Sequence, residues 1–154
     1  LFRSQRQFTD RVEEITDFEI VFNGGRTADL LGNTLRNRDG SVFSGLQYYP
    51  SEFSVGKRWD SFFRLTQAQG ISVGEFNFRI TERVQITVPA GSFNTFHVVG
   101  RGYFVFGGNQ GSSEFELWLD PERVRRPIVS RDLRRIGGRY IVANHNELVS
   151  YQQG

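Results

Sequence analysis

The sequence predicts an all-β fold, an antiparallel curved sheet forming a barrel or half-barrel, with a β-sandwich as the alternative. Three observations carry that expectation. Across residues 76–88 the even positions read Phe, Phe, Ile, Glu, Val, Ile, Val, and the odd positions between them read Asn, Arg, Thr, Arg, Gln, Thr. Successive side chains of a strand point to opposite faces, so this alternation marks a long strand with one buried face. Shorter runs of strand composition recur along the chain, with many of its 17 glycines between them as turn residues. No window carries the i, i+3, i+4, i+7 apolar stripe of a helix. Strands this long coil as they twist, which favours a barrel or half-barrel over a flat sandwich.

The elements follow in chain order. Strand composition covers residues 8–16 and 17–22, stopping at the turn Asn23-Gly24-Gly25. Residues 26–36 lead to the turn Arg38-Asp39-Gly40, and 41–49 end before Pro50. Residues 59–66 precede the break Gln67-Ala68-Gln69-Gly70, and the long 76–88 run ends in Val88-Pro89-Ala90-Gly91. Residues 95–106 meet Gly107-Gly108, and 114–119 stop at Asp120-Pro121. Residues 123–136 meet Gly137-Gly138, a two-residue hairpin signal. Residues 140–143 and 147–151 close the series. A single helical turn is expected at most at 65–71 and at 121–126.

At 154 residues the chain suits one domain that buries roughly 70% of its unfolded surface. A short internal likeness admits a degenerate duplication, about 1–45 and 46–154: Thr9-Asp10-Arg11-Val12 resembles Thr81-Glu82-Arg83-Val84. Cysteine is absent, which excludes a disulfide framework, a thiolate zinc site and a thiol nucleophile. Methionine is absent too, so an upstream signal peptide or further sequence is expected before Leu1, with a lipid anchor as one form of it. No stretch approaches the roughly 18 apolar residues of a membrane-spanning helix. Net charge is only +2, but it rests on 18 arginines and Lys57.

The turn at Val88-Pro89-Ala90-Gly91 has its own chemistry. Pro89 presets φ for a turn, and Gly91 takes the positive φ that lets the chain reverse. Ser92 next to it is structural, since the strand-to-helix setting of a nucleophile elbow is missing. The run E-R-V-Q-I-T-V-P-A-G-S-F-N-T-F-H-V, residues 82–98, resembles the signature of a family of uncharacterised bacterial exported β-rich proteins carrying V-P-A-G-[ST]-F-x-x-F-x-V. Tyr49 to Trp59, as Y-P-x-x-F-x-V-G-K-R-W, and the Trp118 to Pro121 element with Val124-Arg125 after it are similar to further family motifs. Leu119 departs from the aromatic residue usual after the tryptophan. The likeness covers about 46–151. It implies a periplasmic or secreted domain, often a lipoprotein, with no agreed activity and no catalytic residues to carry over.

Arg123, Arg125, Arg126, Arg131, Arg134, Arg135 and Arg139 fall within 17 residues. Nucleic-acid binding would want aromatics interleaved for stacking, and only Tyr140 is close. Arg134 and Arg135 point to opposite faces of a strand, so the reading is a solvated hairpin with ion-pair partners. Arg125, Arg126, Arg134 and Arg135 are the candidates for an anionic surface or partner. His97 and His145 are the only histidines, and a site with Glu147 can be drawn, but no metal-ligand spacing supports it. No cofactor motif is present.

Glu82 and Asp10 interrupt apolar faces in matching registers. A buried carboxylate needs a cation or hydrogen bonds, and a β-bulge that inverts the face is the structural alternative. Tyr48, Tyr49, Trp59 and Trp118 make a candidate aromatic platform for a sugar or peptide, or else lids on the core. With Glu82 these are the candidate ligand-binding residues. The functional expectation is a non-enzymatic exported domain that binds a protein partner or a hydrophobic ligand, with Phe76, Phe78, Phe104 and Phe106 lining a cavity or filling a dry core. The alternatives are an accessory subunit of a cell-envelope assembly and a hydrolase-type enzyme using Glu82, Asp10 and His97.

Overall fold

The computed structural model describes residues 5–153. Eleven strands form one antiparallel sheet in which each strand pairs with its neighbours in sequence. They are β1 (Val12–Ile15), β2 (Glu19–Phe22), β3 (Thr27–Asp29), β4 (Thr34–Arg36), β5 (Val42–Ser44), β6 (Arg58–Gln67), β7 (Gly70–Val88), β8 (Gly91–Phe106), β9 (Asn109–Leu119), β10 (Val129–Ile136) and β11 (Arg139–Glu147). The all-β expectation holds. β1 and β11 are the two edges and do not pair, so the sheet is open and no barrel closes.

The hairpin turns follow their residues. Val88 pairs with Gly91 across Pro89-Ala90, and Gly91 takes φ +127°. Ile136 pairs with Arg139 across Gly137 and Gly138, whose φ values of 55° and 76° suit the turn that matches strand twist. Residues 123–128 do not extend β10, because Pro127 cannot donate to a ladder. Residues 148–151 are likewise irregular, and 41–49 give only the short β5. Neither 65–71 nor 121–126 is helical; the first lies in the β6–β7 hairpin. The one helical element among the described residues is a 3-10 turn, Asn23–Gly25.

β7 serves two cores. Phe76, Phe78 and Ile80 face an inner core with Phe96, Val98, Phe115, Leu117 and Leu119. Ile80 pairs with Val98, but Glu82 pairs with His97, so Thr81 is the extra residue of a β-bulge. Beyond it the even residues change face. Ile86 and Val88 join an outer core with Phe93, Trp118, Ile128 and Val129, covered by Val124, Leu148 and Tyr151. Unbroken alternation in the sequence therefore spans a change of face. The expectation that Glu82 points inward is corrected by the bulge: its side chain is 58% exposed.

The β5–β6 connection folds over one half of the inner face. Tyr48 packs edge-on against Phe78, Phe53 against Phe96, and Trp59 stacks on Phe78 at 5.3 Å. Buried Asn33 holds this cover. Its Oδ1 accepts from the backbone N–H groups of Tyr48 and Tyr49, both at 2.7 Å, while its Nδ2 donates to Asp29 Oδ2 and the Tyr49 carbonyl. A buried amide with every group paired fixes a loop without leaving a desolvation cost.

Candidate functional site

The other half of the inner face is only partly covered. There β5 to β11 and the start of the β5–β6 connection line a cavity of about 200 Å³ with Phe43, Leu46, Phe63, Phe76, Phe104, Phe106 and Phe115, and Tyr48, Gln67, Ser72, Ser113 and Arg134 are among its polar groups. Its rim stands in solvent at Ile141, which is 53% exposed. The floor is made by aromatic rings lying over glycines of the neighbouring strand. A Cβ at Gly74 would meet the Phe63 ring at 2.6 Å, one at Gly102 the Phe76 ring at 2.8 Å, and one at Gly111 would overlap Phe104. Alternating glycine and phenylalanine keeps the rings flat and leaves space above them.

Phe76, Phe104 and Phe106 thus line a cavity, whereas Phe78 fills dry core under Tyr48 and Trp59. Burial pushes the Tyr48 hydroxyl far up, opposed by the charge of Arg134, so it remains a neutral donor. Arg134 is paired with Asp132 at 2.9 Å. Burial raises the Asp132 carboxyl above its ordinary 3.8, with Arg134 acting against that shift. An apolar concavity with a few convergent polar groups is the usual form of a small-molecule site.

His97 is on the outer face. It stacks on Trp118 and approaches Glu82 through Nδ1 at 3.6 Å and Glu116 through Nε2 at 3.2 Å. Arg131 reaches Glu116 at 3.5 Å and donates from Nε to His145 Nδ1, and His145 meets Glu147 at 2.9 Å. Among the described residues no group of three His, Cys, Asp or Glu is placed to hold a metal ion.

Asp10 is not on a regular strand; it precedes β1, and its side chain is 9% exposed. Arg38 Nη2 lies 2.7 Å from it, Arg126 Nε 2.9 Å and Arg26 Nη1 3.9 Å. Arg26 itself is buried, donates from Nη2 to Thr34 and lies over the Phe22 ring at 4.5 Å. Burial presses its guanidinium down to about 10, the neighbouring Arg126 adding to that and Asp10 opposing it, so it is charged at neutral pH.

The predicted site residues therefore separate. Tyr48, Tyr49 and Trp59 belong to the inner core and its cover, while Trp118 lies on the opposite face, so no four-residue aromatic platform forms. The arginines do not form one anionic-surface patch either. Arg125 donates to the Leu30 carbonyl, Arg126 pairs with Asp10, Arg134 with Asp132, and Arg135 lies over the Tyr140 ring at 4.2 Å. Glu82 and His97 meet; Asp10 pairs with the three arginines instead. Phe43, Phe63, Ser72 and Ser113 were not singled out in the sequence; the pairings Phe63 with Gly74 and Phe106 with Ser72, a ring opposite a small residue, are the only signal, and they depend on the strand register. No family model, curated protein or solved structure matches the chain.

Proposed function

We propose that this chain is a non-enzymatic binding domain that takes an apolar small molecule into the partly covered half of its inner face. The observation supporting the reading is the cavity of about 200 Å³ floored by phenylalanines. It is smaller than the roughly 300–1,000 Å³ of drug-sized sites, so the ligand is small or leaves a polar end outside at Arg134. A periplasmic or secreted location belongs to the same reading, through the resemblance of residues 82–98 to exported proteins. Native mass spectrometry of protein purified from its own host tests it. The expected spectrum shows a bound apolar molecule; a bare chain that also fails to take up an apolar probe opposes the proposal.

A second reading, an accessory subunit of an envelope assembly, is favoured by β11. This edge strand is exposed along nearly all of its length and offers unpaired backbone groups to a partner strand. The hydrolase reading has less support, because Asp10 is neutralised by arginines away from the Glu82–His97 pair.

A further inference from the structure

We propose that Arg26, Arg126 and Tyr49 form a binding site for a small oxyanion, a phosphate or carboxylate group, beside Asp10. Three buried side-chain atoms lack a hydrogen-bond partner among the described residues: Arg26 Nη1, the Tyr49 hydroxyl and Asp10 Oδ2. The carboxylate oxygen is met by charge, 2.9 Å from Arg126 Nε though not aligned for a hydrogen bond. The Tyr49 hydroxyl has no acceptor, and Arg26 Nη1 has only the same carboxylate oxygen at 3.9 Å, beyond hydrogen-bond distance. Arg26 has a side chain only 8% exposed, and Tyr49 is 4% exposed.

A buried donor without an acceptor is costly, and a charged one more so. Three guanidinium groups surround one carboxylate, so two positive charges remain in the cluster. Asp10 is engaged closely by Arg38 and Arg126, and it stands 3.9 Å from Arg26. Unspent donors and net positive charge call for an acceptor with negative charge, and the planar guanidinium fork suits the paired oxygens of phosphate or carboxylate. Tyr49 feels both Arg26 and Arg126, whose charges oppose the burial that raises its hydroxyl.

The four residues arrive from separate connections: the segment before β1, the β2–β3 turn, the β5–β6 connection and the β9–β10 connection. Sites assembled from loops on a rigid sheet are a common arrangement for binding. The donor atoms are sealed from solvent, and Arg126 and Arg38, whose side chains are about a third exposed (32% and 37%), are the groups that an entering anion would displace.

Calorimetric and thermal-shift titrations with inorganic phosphate and with acetate, ionic strength held constant with chloride, test the proposal on the whole chain. Saturable binding of either anion is expected, weakened at least roughly tenfold, about 1.4 kcal/mol, in both Tyr49→Phe and Arg126→Gln. Without added anion Tyr49→Phe should melt no lower than the parent, since it deletes an unpaired hydroxyl and keeps the ring. Preference for phosphate or acetate identifies the oxyanion. The proposal is overturned if neither anion does more than chloride, or if both variants bind as the parent does.

Discussion

His97 lies flat on Trp118, ring centroids 4.3 Å apart and planes within 10° of parallel. The two residues are directly paired across β8 and β9, and Arg131 covers the indole at 5.2 Å. The stack ties the centre of the sheet to the outer core, where Trp118 meets Ile128 and Val129. An aromatic pair of this kind adds about 0.5–1.5 kcal/mol beyond buried area. His97→Ala should therefore lower stability by about 1 kcal/mol or more in urea denaturation. An unchanged midpoint would show that the stack contributes nothing.

The bulge predicts an asymmetry between two deletions. Removing Thr81 leaves Ile80 opposite Val98 and Glu82 opposite His97, so each side chain stays on its face. The variant should fold with a loss of about 1–2 kcal/mol, from the hydrogen bonds of Thr81 with His97. Removing Arg79 also closes the bulge, but it moves Ile80 opposite Val99 and Thr81 opposite Val98, turning buried Ile80 outward and a hydroxyl into the inner core. That variant should lose more, about 2–5 kcal/mol, as for removing a buried isoleucine. Equal damage from both deletions would argue against the assigned register.

Gly100 sits beneath Phe78 so closely that a methyl group would overlap the ring. Phe78 is among the most deeply buried residues and carries both Tyr48 and Trp59. Gly100→Ala should cost about 1–3 kcal/mol through overpacking. A thermal melt within a degree of the parent would contradict the close approach.

Asp132 predicts a pH effect. Burial raises its carboxyl above 3.8, so the folded chain holds the proton more tightly than the unfolded one. Stability from this group therefore falls as pH rises through the range just above 3.8 and is recovered on acidification. Asp132→Asn removes that dependence; the unpaired Arg134 it leaves lowers stability by an amount that does not vary with pH. Comparing melts of the two proteins from about pH 7 to about pH 4 should show the parent gaining on the variant as pH falls. A gain in the opposite direction would mean that Arg134, not burial, governs the carboxyl.

Much of the sheet was legible in the sequence because alternation and turn glycines are local signals. The 76–88 run lies within β7, and Gly137-Gly138 sits in the turn it implied. The bulge at Thr81 was not fixed by the pattern, because the apolar residues stay on even positions while the face they meet changes. Glu82 signalled the irregularity without saying which way it resolved. The cavity was less legible still. Whether a phenylalanine floors a cavity or a core depends on how far the β5–β6 connection reaches, and Asn33 sets that. The Asp10 cluster joins Arg26 to Arg126 across the length of the chain, beyond any local pattern.

An apolar ligand in the partly covered half of the inner face is the function proposed for this chain. Titration with the apolar fluorophore N-phenyl-1-naphthylamine tests it directly, using the parent and Ser113→Leu. Ser113 is buried and lines the cavity, so leucine fills part of the 200 Å³ while the fold is followed by circular dichroism. The parent is expected to show saturable one-to-one uptake, with a loss of at least roughly tenfold in the filled variant, about 1.4 kcal/mol. No saturable uptake, or equal uptake by a folded Ser113→Leu protein, would contradict it.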